Sequence, residues 1–255
     1  MYRFNGKRCA ANVLGVVAIA IAVAGCEWGT ASAGIRKRDR VESASGMLQD
    51  VFENLPGWAQ GEHPILRSRI DVERGRLWIL TRDGVDLYQV ETSQKVAHIG
   101  LPGWLWVGKP YSCSPDLALG PRGEAVISSN VVPTLWRIDP ESFAASTHDL
   151  VLDADTDKDV GFTGLAYSAQ QGAFFAVSAL QGSLWRIDPL LRRAQNIPLS
   201  AALPKACGLA MHARAPGQRA TRFAGVCVGT DRGDWTVSLS PDQRSGYVSP
   251  RPCAG

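Results

Sequence analysis

The sequence predicts an all-β fold built from repeated units, and two markers that recur along its 255 residues carry this prediction. One marker is an aromatic residue that returns every 48 to 50 positions, at Tyr88, Trp136, Trp185 and Trp235. The other is a glycine that stands 13 residues before the aromatic residue in the first three units, at Gly75, Gly123 and Gly172. In the fourth unit the corresponding Gly217 lies 18 residues before Trp235, which predicts a longer surface turn there.

Short apolar stretches separated by turn residues predict four strands in each unit. First strands are predicted at 117–119, 165–167 and 209–211, and second strands at 77–80, 125–128, 174–177 and 224–228. Third strands carry the aromatic marker, and fourth strands are predicted at 95–99, 147–152, 194–199 and 246–248. Four strands in a period near fifty are typical of one blade of a β-propeller, so we predict about four such blades over residues 63–255. A sandwich or solenoid of the same strands is the alternative, and the sequence leaves open whether four blades close within one chain.

The first 25 residues have the pattern of a signal peptide, with three basic residues before an apolar stretch. The segment Val23-Ala24-Gly25-Cys26 resembles the lipobox of bacterial lipoproteins, which implies cleavage before Cys26 and lipidation of that cysteine. Palmitate and the other acyl chains of such a lipid would tether the domain to a membrane. The alternative is ordinary signal cleavage after Ala33. Glu27 differs from the Asp that resembles an inner-membrane retention signal, so we expect the outer membrane, facing the periplasm.

Two further segments separate the signal from the repeats. Residues 26–46 are rich in small and charged residues, which predicts a flexible tether. Residues 47–62 are predicted to hold a short helix, because apolar side chains recur at helical spacing at Met47, Leu48, Val51, Phe52 and Leu55. We expect this amphipathic segment to pack on the propeller as a plug.

Charge and motifs exclude several classes of function. The signal supplies three bases and no acid, so the exported part has 24 basic and 24 acidic residues and gives no electrostatic basis for nucleic-acid binding. No nucleophile elbow, zinc-protease motif or phosphate-binding glycine loop occurs, and the four histidines are scattered. We therefore predict no catalytic residues and no cofactor.

Four cysteines remain for disulfides once Cys9 is removed with the signal and Cys26 is lipidated: Cys113, Cys207, Cys227 and Cys253. Cys207 and Cys227 lie equally far from Gly217, which predicts a bond between them across a hairpin. Cys113 and Cys253 would then join the chain end to the second unit. The alternatives are Cys113–Cys207 with Cys227–Cys253, and Cys113–Cys227 with Cys207–Cys253.

The segments 162–167, 173–177 and 184–189 resemble repeats of extracytoplasmic propellers of the NHL-type, quinoprotein-like and gluconolactonase-like groups. In the gluconolactonase-like group, this resemblance implies a metal held at the channel mouth by Asn, Asp and Glu. The comparable positions carry Asp116 and Asn130 in the second unit but Thr163 and Ser178 in the third, so no metal site is predicted. Together with Asp231, these residues are predicted to form a polar rim for a small ligand.

Two loops are further candidates for binding. The alternating acids Asp153, Asp155 and Asp157 resemble a calcium loop, but its sixth and twelfth positions are Lys158 and Gly164 instead of Gly and an acid, which favours a solvated loop. The connection between the first two units is rich in aromatic residues, at Trp104, Trp106 and Tyr111. It is interpreted either as a binding surface or as a hydrophobic lid.

The function predicted from these features is a membrane-tethered, non-catalytic binding or assembly module outside the cytoplasm. Its partners would be the membrane, through the lipid, and a protein or a small envelope ligand. A metal-dependent hydrolase of the lactonase type is the alternative.

Overall fold

The computed structural model describes residues 65–108, 113–153, 161–211, 225–230 and 233–250. All of them belong to a compact unit spanning Glu42–Gly255, and a first unit, Met1–Val41, lies outside the described residues. The predicted signal peptide, tether and helical segment, including Cys26, therefore stay predictions. The described residues include no helix with the length and apolar character needed to cross a membrane.

Four antiparallel sheets form a four-bladed β-propeller, which confirms the predicted fold class. Blade 1 consists of β1 (Arg67–Asp71), β2 (Arg76–Leu80), β3 (Val85–Gln89) and β4 (Gln94–Ile99). Blade 2 consists of β5 (Leu117–Leu119), β6 (Ala125–Ser128), β7 (Thr134–Ile138) and β8 (Ala145–Asp149). After β9 (Val151–Leu152), blade 3 consists of β10 (Gly164–Ser168), β11 (Ala173–Ser178), β12 (Ser183–Ile187) and β13 (Arg193–Ile197). Blade 4 consists of β14 (Ala206–Met211), β15 (Gly225–Thr230), β16 (Gly233–Leu239) and β17 (Gly246–Ser249).

The predicted fourth strand of the second unit, 147–152, is wrong as a single strand. Leu150 interrupts it, because its amide donates a hydrogen bond to Pro133 O and its side chain is buried. The chain then leaves blade 2 as β9, which pairs in parallel with β13 at the outer edge of blade 3. One blade thus protects the exposed edge of the next.

The first strand of the first unit, β1, has no counterpart among the predicted strands. Its residues read Arg-Ser-Arg-Ile-Asp, and this polar sequence carries none of the apolar alternation that marks the other first strands. The strand forms because β2 supplies a complete hydrogen-bonding edge, with Ile70 opposite Leu77. Pairing with a neighbouring strand therefore overrides a weak local preference.

The aromatic markers of the second, third and fourth units pack between blades. Trp136 lies in the apolar cluster that joins blades 1 and 2, Trp185 in the cluster between blades 2 and 3, and Trp235 against the cluster between blades 3 and 4. Burial of an aromatic side chain at each of these junctions explains why the marker recurs with the blade period.

The Leu-Trp-Arg-Ile-Asp-Pro segments also hold neighbouring blades together through polar contacts. The arginine after each tryptophan reaches the next blade, since Arg137 donates to Pro189 O and Arg186 Nε donates to Gln243 Oε1 at 2.9 Å. The aspartate ends the strand, because the carboxylate of Asp188 accepts hydrogen bonds from the backbone amides that follow it. Every polar residue of the repeated segment thus has an architectural role.

Candidate functional site

One end of the propeller, where the innermost strands begin, contains the four described rim residues Asp116, Asn130, Thr163 and Ser178. We call it the strand-start end. The strand register aligns one apolar residue of each first strand with the aromatic marker of its blade: Ile70, Leu117, Leu165 and Leu209. The residues immediately before them, Arg69, Asp116, Gly164 and Gly208, therefore occupy equivalent positions. The predicted equivalence of Asp116 with Thr163 was therefore wrong by one residue.

Asp116, immediately before β5, contacts three blades directly and the fourth through Arg67. Its fully buried carboxylate accepts hydrogen bonds from the amides of Leu117 and Leu165, each at 2.8 Å. Two guanidinium groups of β1 pair with its Oδ1 atom, with Arg67 Nε at 3.3 Å and Arg69 Nη2 at 3.1 Å. Arg67 Nη2 also donates to Cys207 O in blade 4 at 2.8 Å. Asp116 and Arg67 thus form a polar connection across the ring.

Burial and the neighbouring groups change the pKa of Asp116 in opposite directions. Burial has the largest effect and raises the pKa above its ordinary value, although Arg69, Arg67 and the two backbone amides act to lower it. A buried carboxylate is tolerated only when it is paired and hydrogen-bonded, and Asp116 meets both conditions. Because its lone pairs are directed to partners within the fold, the carboxylate is a structural group and not an open metal ligand.

Gly164 occupies a position where a side chain would not fit, whereas a Cβ atom at Gly208 would meet no atom within 4 Å. A Cβ atom at Gly164 would lie 2.7 Å from Gly208 C and 2.9 Å from Leu209 N, both backbone atoms of blade 4. Blades 3 and 4 approach each other so closely at the axis that only glycine fits.

A disulfide bond joins Cys113 and Cys207, whose Cα atoms are 5.0 Å apart, and so links blade 2 with blade 4 beside Asp116. The predicted Cys207–Cys227 bond is wrong, and so is the Cys113–Cys253 bond that accompanied it. The observed bond belongs to one of the alternative pairings. Cys227 is disulfide-bonded as well. Cys253 lies outside the described residues, so its bond with Cys227 stays a prediction.

The Cys207–Cys227 bond was predicted wrongly because the register between the two strands differs from the expected one, although both strands exist. The predicted first and second strands of the fourth unit exist as β14 and β15, but Ala210 faces Cys227. A register shift between Ala206 and Leu209 carries Cys207 out of the ladder. Equal distance of two cysteines from a turn residue therefore did not predict that they face each other, because a β-bulge adds residues to one strand only.

Two of the other predicted rim residues, Asn130 and Thr163, form hydrogen bonds within the fold. Asn130 accepts a hydrogen bond from Val107 N at 2.9 Å and donates to Val107 O and Cys113 O. Thr163 Oγ1 lies within hydrogen-bonding distance of Val177 O and Ala206 O. Ser178 is buried, and its hydroxyl has no hydrogen-bond partner among the described residues. Asp231 lies outside the described residues. The role of this rim in ligand binding stays a prediction.

The aromatic loop, residues 101–108, is held against blades 1 and 2 at the same end. The rings of Trp104 and Trp106 stack with their centroids 5.8 Å apart. Their indole nitrogens donate to Ser128 O and Arg82 O, in blade 2 and blade 1 respectively. Leu105 between them is 53% exposed. The loop thus combines the buried packing expected of a lid, at Trp104, with an exposed apolar tip at Leu105. Tyr111 lies outside the described residues.

The acidic loop has one described member. Asp153 Oδ1 accepts a hydrogen bond from Asn196 N at 2.8 Å, which fixes the loop to the outer strand of blade 3. Asp155 and Asp157 lie outside the described residues. Within the described ranges, no group of three or more His, Cys, Asp or Glu side chains is placed to hold a metal ion.

No family model and no curated protein matches this chain. It is similar to a streptogramin B lyase structure, at 13% identity and a TM-score of 0.49 over 74% of this chain and 57% of that one. Virginiamycin B lyase from Staphylococcus aureus gives 13% identity and a TM-score of 0.48, over 69% of this chain and 52% of that one. An auxiliary nutrient binding protein from Bacteroides thetaiotaomicron gives 12% identity and a TM-score of 0.49, over 75% of this chain and 43% of that one. The chain thus spans about half the length of these proteins.

Proposed function

We propose that the protein is a membrane-tethered lipoprotein outside the cytoplasm and that its propeller is a non-catalytic binding module. The observation that carries the binding role is the fixed display of the aromatic loop. Two indole hydrogen bonds hold the side chains of Trp104 and Trp106, and the side-chain amide of Asn130 holds the backbone at Val107. Leu105 between the two tryptophans projects into solvent. A preordered aromatic surface loses little conformational entropy on binding, which favours recognition.

The polar groups at the same end support a binding role over catalysis. Asp116, Asn130 and Thr163 direct their oxygen and nitrogen atoms to partners inside the fold. A metal-dependent lactonase would need several oxygen ligands free to converge on one cation. The aromatic loop is therefore the better candidate for contact with a partner, and we propose that this partner is a protein of the envelope.

A photo-crosslinking amino acid placed at Leu105 in cells is expected to trap one defined protein partner. Val72 is the matched control, because it is 60% exposed in the turn between β1 and β2, at the opposite end of the propeller. Trp106→Ala is expected to weaken the complex of purified proteins roughly 30-fold, the effect of removing an aromatic hot spot of about 2 kcal/mol. Trp106→Phe should retain most of the affinity.

Two results would contradict this binding role. One is that positions 105 and 72 give the same adducts, or that Trp106→Ala binds as tightly as the native protein. The other is stoichiometric metal in the purified protein together with lactone hydrolysis that a chelator abolishes. The second result would establish the hydrolase alternative.

The tether is tested separately with Cys26→Ser. Without the lipidated sulfur, the protein is expected to leave the membrane fraction or to keep its signal peptide, because the acyl chains provide the membrane affinity. The mature terminus is read by mass spectrometry, with native protein as the control. Unchanged fractionation with a mature terminus at Gly34 would contradict the lipoprotein proposal.

A further inference from the structure

One face of blade 1 is buried although no other described blade covers it. Leu77, Ile79 and Tyr88 form an apolar cluster with exposed fractions of 0%, 2% and 2%. Its partly buried neighbours in the described part of the chain, Ile65, Ile70 and Val90, also belong to blade 1 or its entry. The opposite face of the blade is the one that packs on blade 2. Something beyond these residues must exclude water from this face.

Blade 4 does not offer a complementary surface. Its apolar face packs on blade 3, and its other face carries small or polar residues such as Thr236 and Ser238. Tyr247 on that face is 67% exposed. Thr236 also stands where Arg137 and Arg186 reach the following blade. The arginine that links blade 2 to blade 3 and blade 3 to blade 4 is thus replaced by threonine in blade 4.

We propose that the amphipathic segment 47–58 docks on this face of blade 1 and fills the junction between blades 4 and 1. Chain connectivity supports this occupant, because the segment leads into Ile65, a member of the cluster, and Leu66 N donates to Leu80 O at 2.8 Å. Residues 59–64 span at most about 20 Å, so the segment stays within reach of the face. This inference is independent of the aromatic loop and of the proposed partner.

The dimensions and the chemistry of the segment also fit. Twelve helical residues are about 18 Å long, and strands of five residues such as β2 and β3 are about 17 Å long. The apolar side chains at Val51, Phe52 and Leu55 fall on one side of a helix, and Glu53 falls on the other. A helix docked this way would join the membrane tether directly to the propeller and would stabilise the junction between blades 4 and 1.

The pKa of Tyr88 reports whether this face of blade 1 is covered. Burial raises its pKa to about 12, and Asp86 adds to the increase. Asp86 is itself paired on this face with Lys95 Nζ and His98 Nδ1, each at 2.7 Å. Exposure of the face is therefore expected to return the Tyr88 pKa toward about 10, the ordinary value for tyrosine.

The test uses Leu55→Asp in the full-length protein, with Glu53→Lys as the matched control on the other side of the helix. Tyr88 is titrated by the difference in tyrosinate absorbance between each protein and its Tyr88→Phe version. In Leu55→Asp, the Tyr88 transition is expected to move toward pH 10 and amide hydrogen exchange in β2 and β3 to rise at least tenfold. Glu53→Lys should leave both unchanged.

Unchanged titration and exchange in Leu55→Asp would overturn the proposal and would assign the cover to residues 212–224 or, if the native protein dimerises, to a second copy. If Leu55→Asp unfolds, the milder Leu55→Ala replaces it, and exchange is compared between blades. An increase confined to blade 1 supports the proposal, whereas a uniform increase overturns it.

Discussion

Asp116→Ala is expected to lower the free energy of unfolding by about 3 to 5 kcal/mol. The substitution leaves the buried amides of Leu117 and Leu165 without an acceptor, and it removes the group that pairs with Arg67 and Arg69. Because both arginines are about one-third exposed, water compensates for part of the lost ion pairs. Most of the loss therefore comes from the two unsatisfied amides.

Urea unfolding followed by tryptophan fluorescence measures this loss. Asp149→Ala is the matched control, since Asp149 is an exposed carboxylate that accepts one hydrogen bond from Thr134 Oγ1. We expect a change below about 1 kcal/mol for the control. Equal effects of the two substitutions would show that Asp116 does not connect the blades.

Replacing Cys113 and Cys207 together with serine is expected to cost about 4 to 5 kcal/mol in the chain-entropy model of disulfides. The size of the effect follows from the sequence separation of 94 residues, because a cross-link over a long loop removes much entropy from the unfolded chain. Either single replacement should cost a similar amount, since each breaks the same bond. A loss below about 1 kcal/mol in the double variant would contradict the assigned cross-link.

The sequence predicted the blade architecture well because its evidence is local and repeated. The tryptophans of units two to four pack at blade junctions, and the strands β7 and β12 each bury the Leu-Trp pair and the following Ile. Asp139 accepts hydrogen bonds from Glu141 N and Ser142 N, which is the turn that Asp-Pro predicts. Features set within one blade were therefore accessible from the sequence.

Features that depend on contacts between blades were not accessible. Asp116 was predicted as a rim residue from the resemblance to gluconolactonase-like propellers. Its contacts with Arg69 and Leu165 could not be predicted, because these partners belong to other blades and no sequence pattern connects them. Likewise, Cys207 meets Cys113 because two inner strands start at the same end of the axis. One sequence feature could have indicated the ion pairs with Asp116. Strand β1 has little apolar character but carries arginine at two alternate positions, which point to one side of a strand.

The central claim is that blades 2 and 4 meet at the strand-start end of the propeller, and non-reducing peptide mapping tests it most directly. Trypsin places each of the four cysteines in a different peptide, 96–122, 206–214, 223–232 and 245–255, so every pairing gives a distinct mass. The structure predicts that peptide 96–122 is linked to 206–214 until a reductant is added. A link between 206–214 and 223–232 would contradict the arrangement of blades described above.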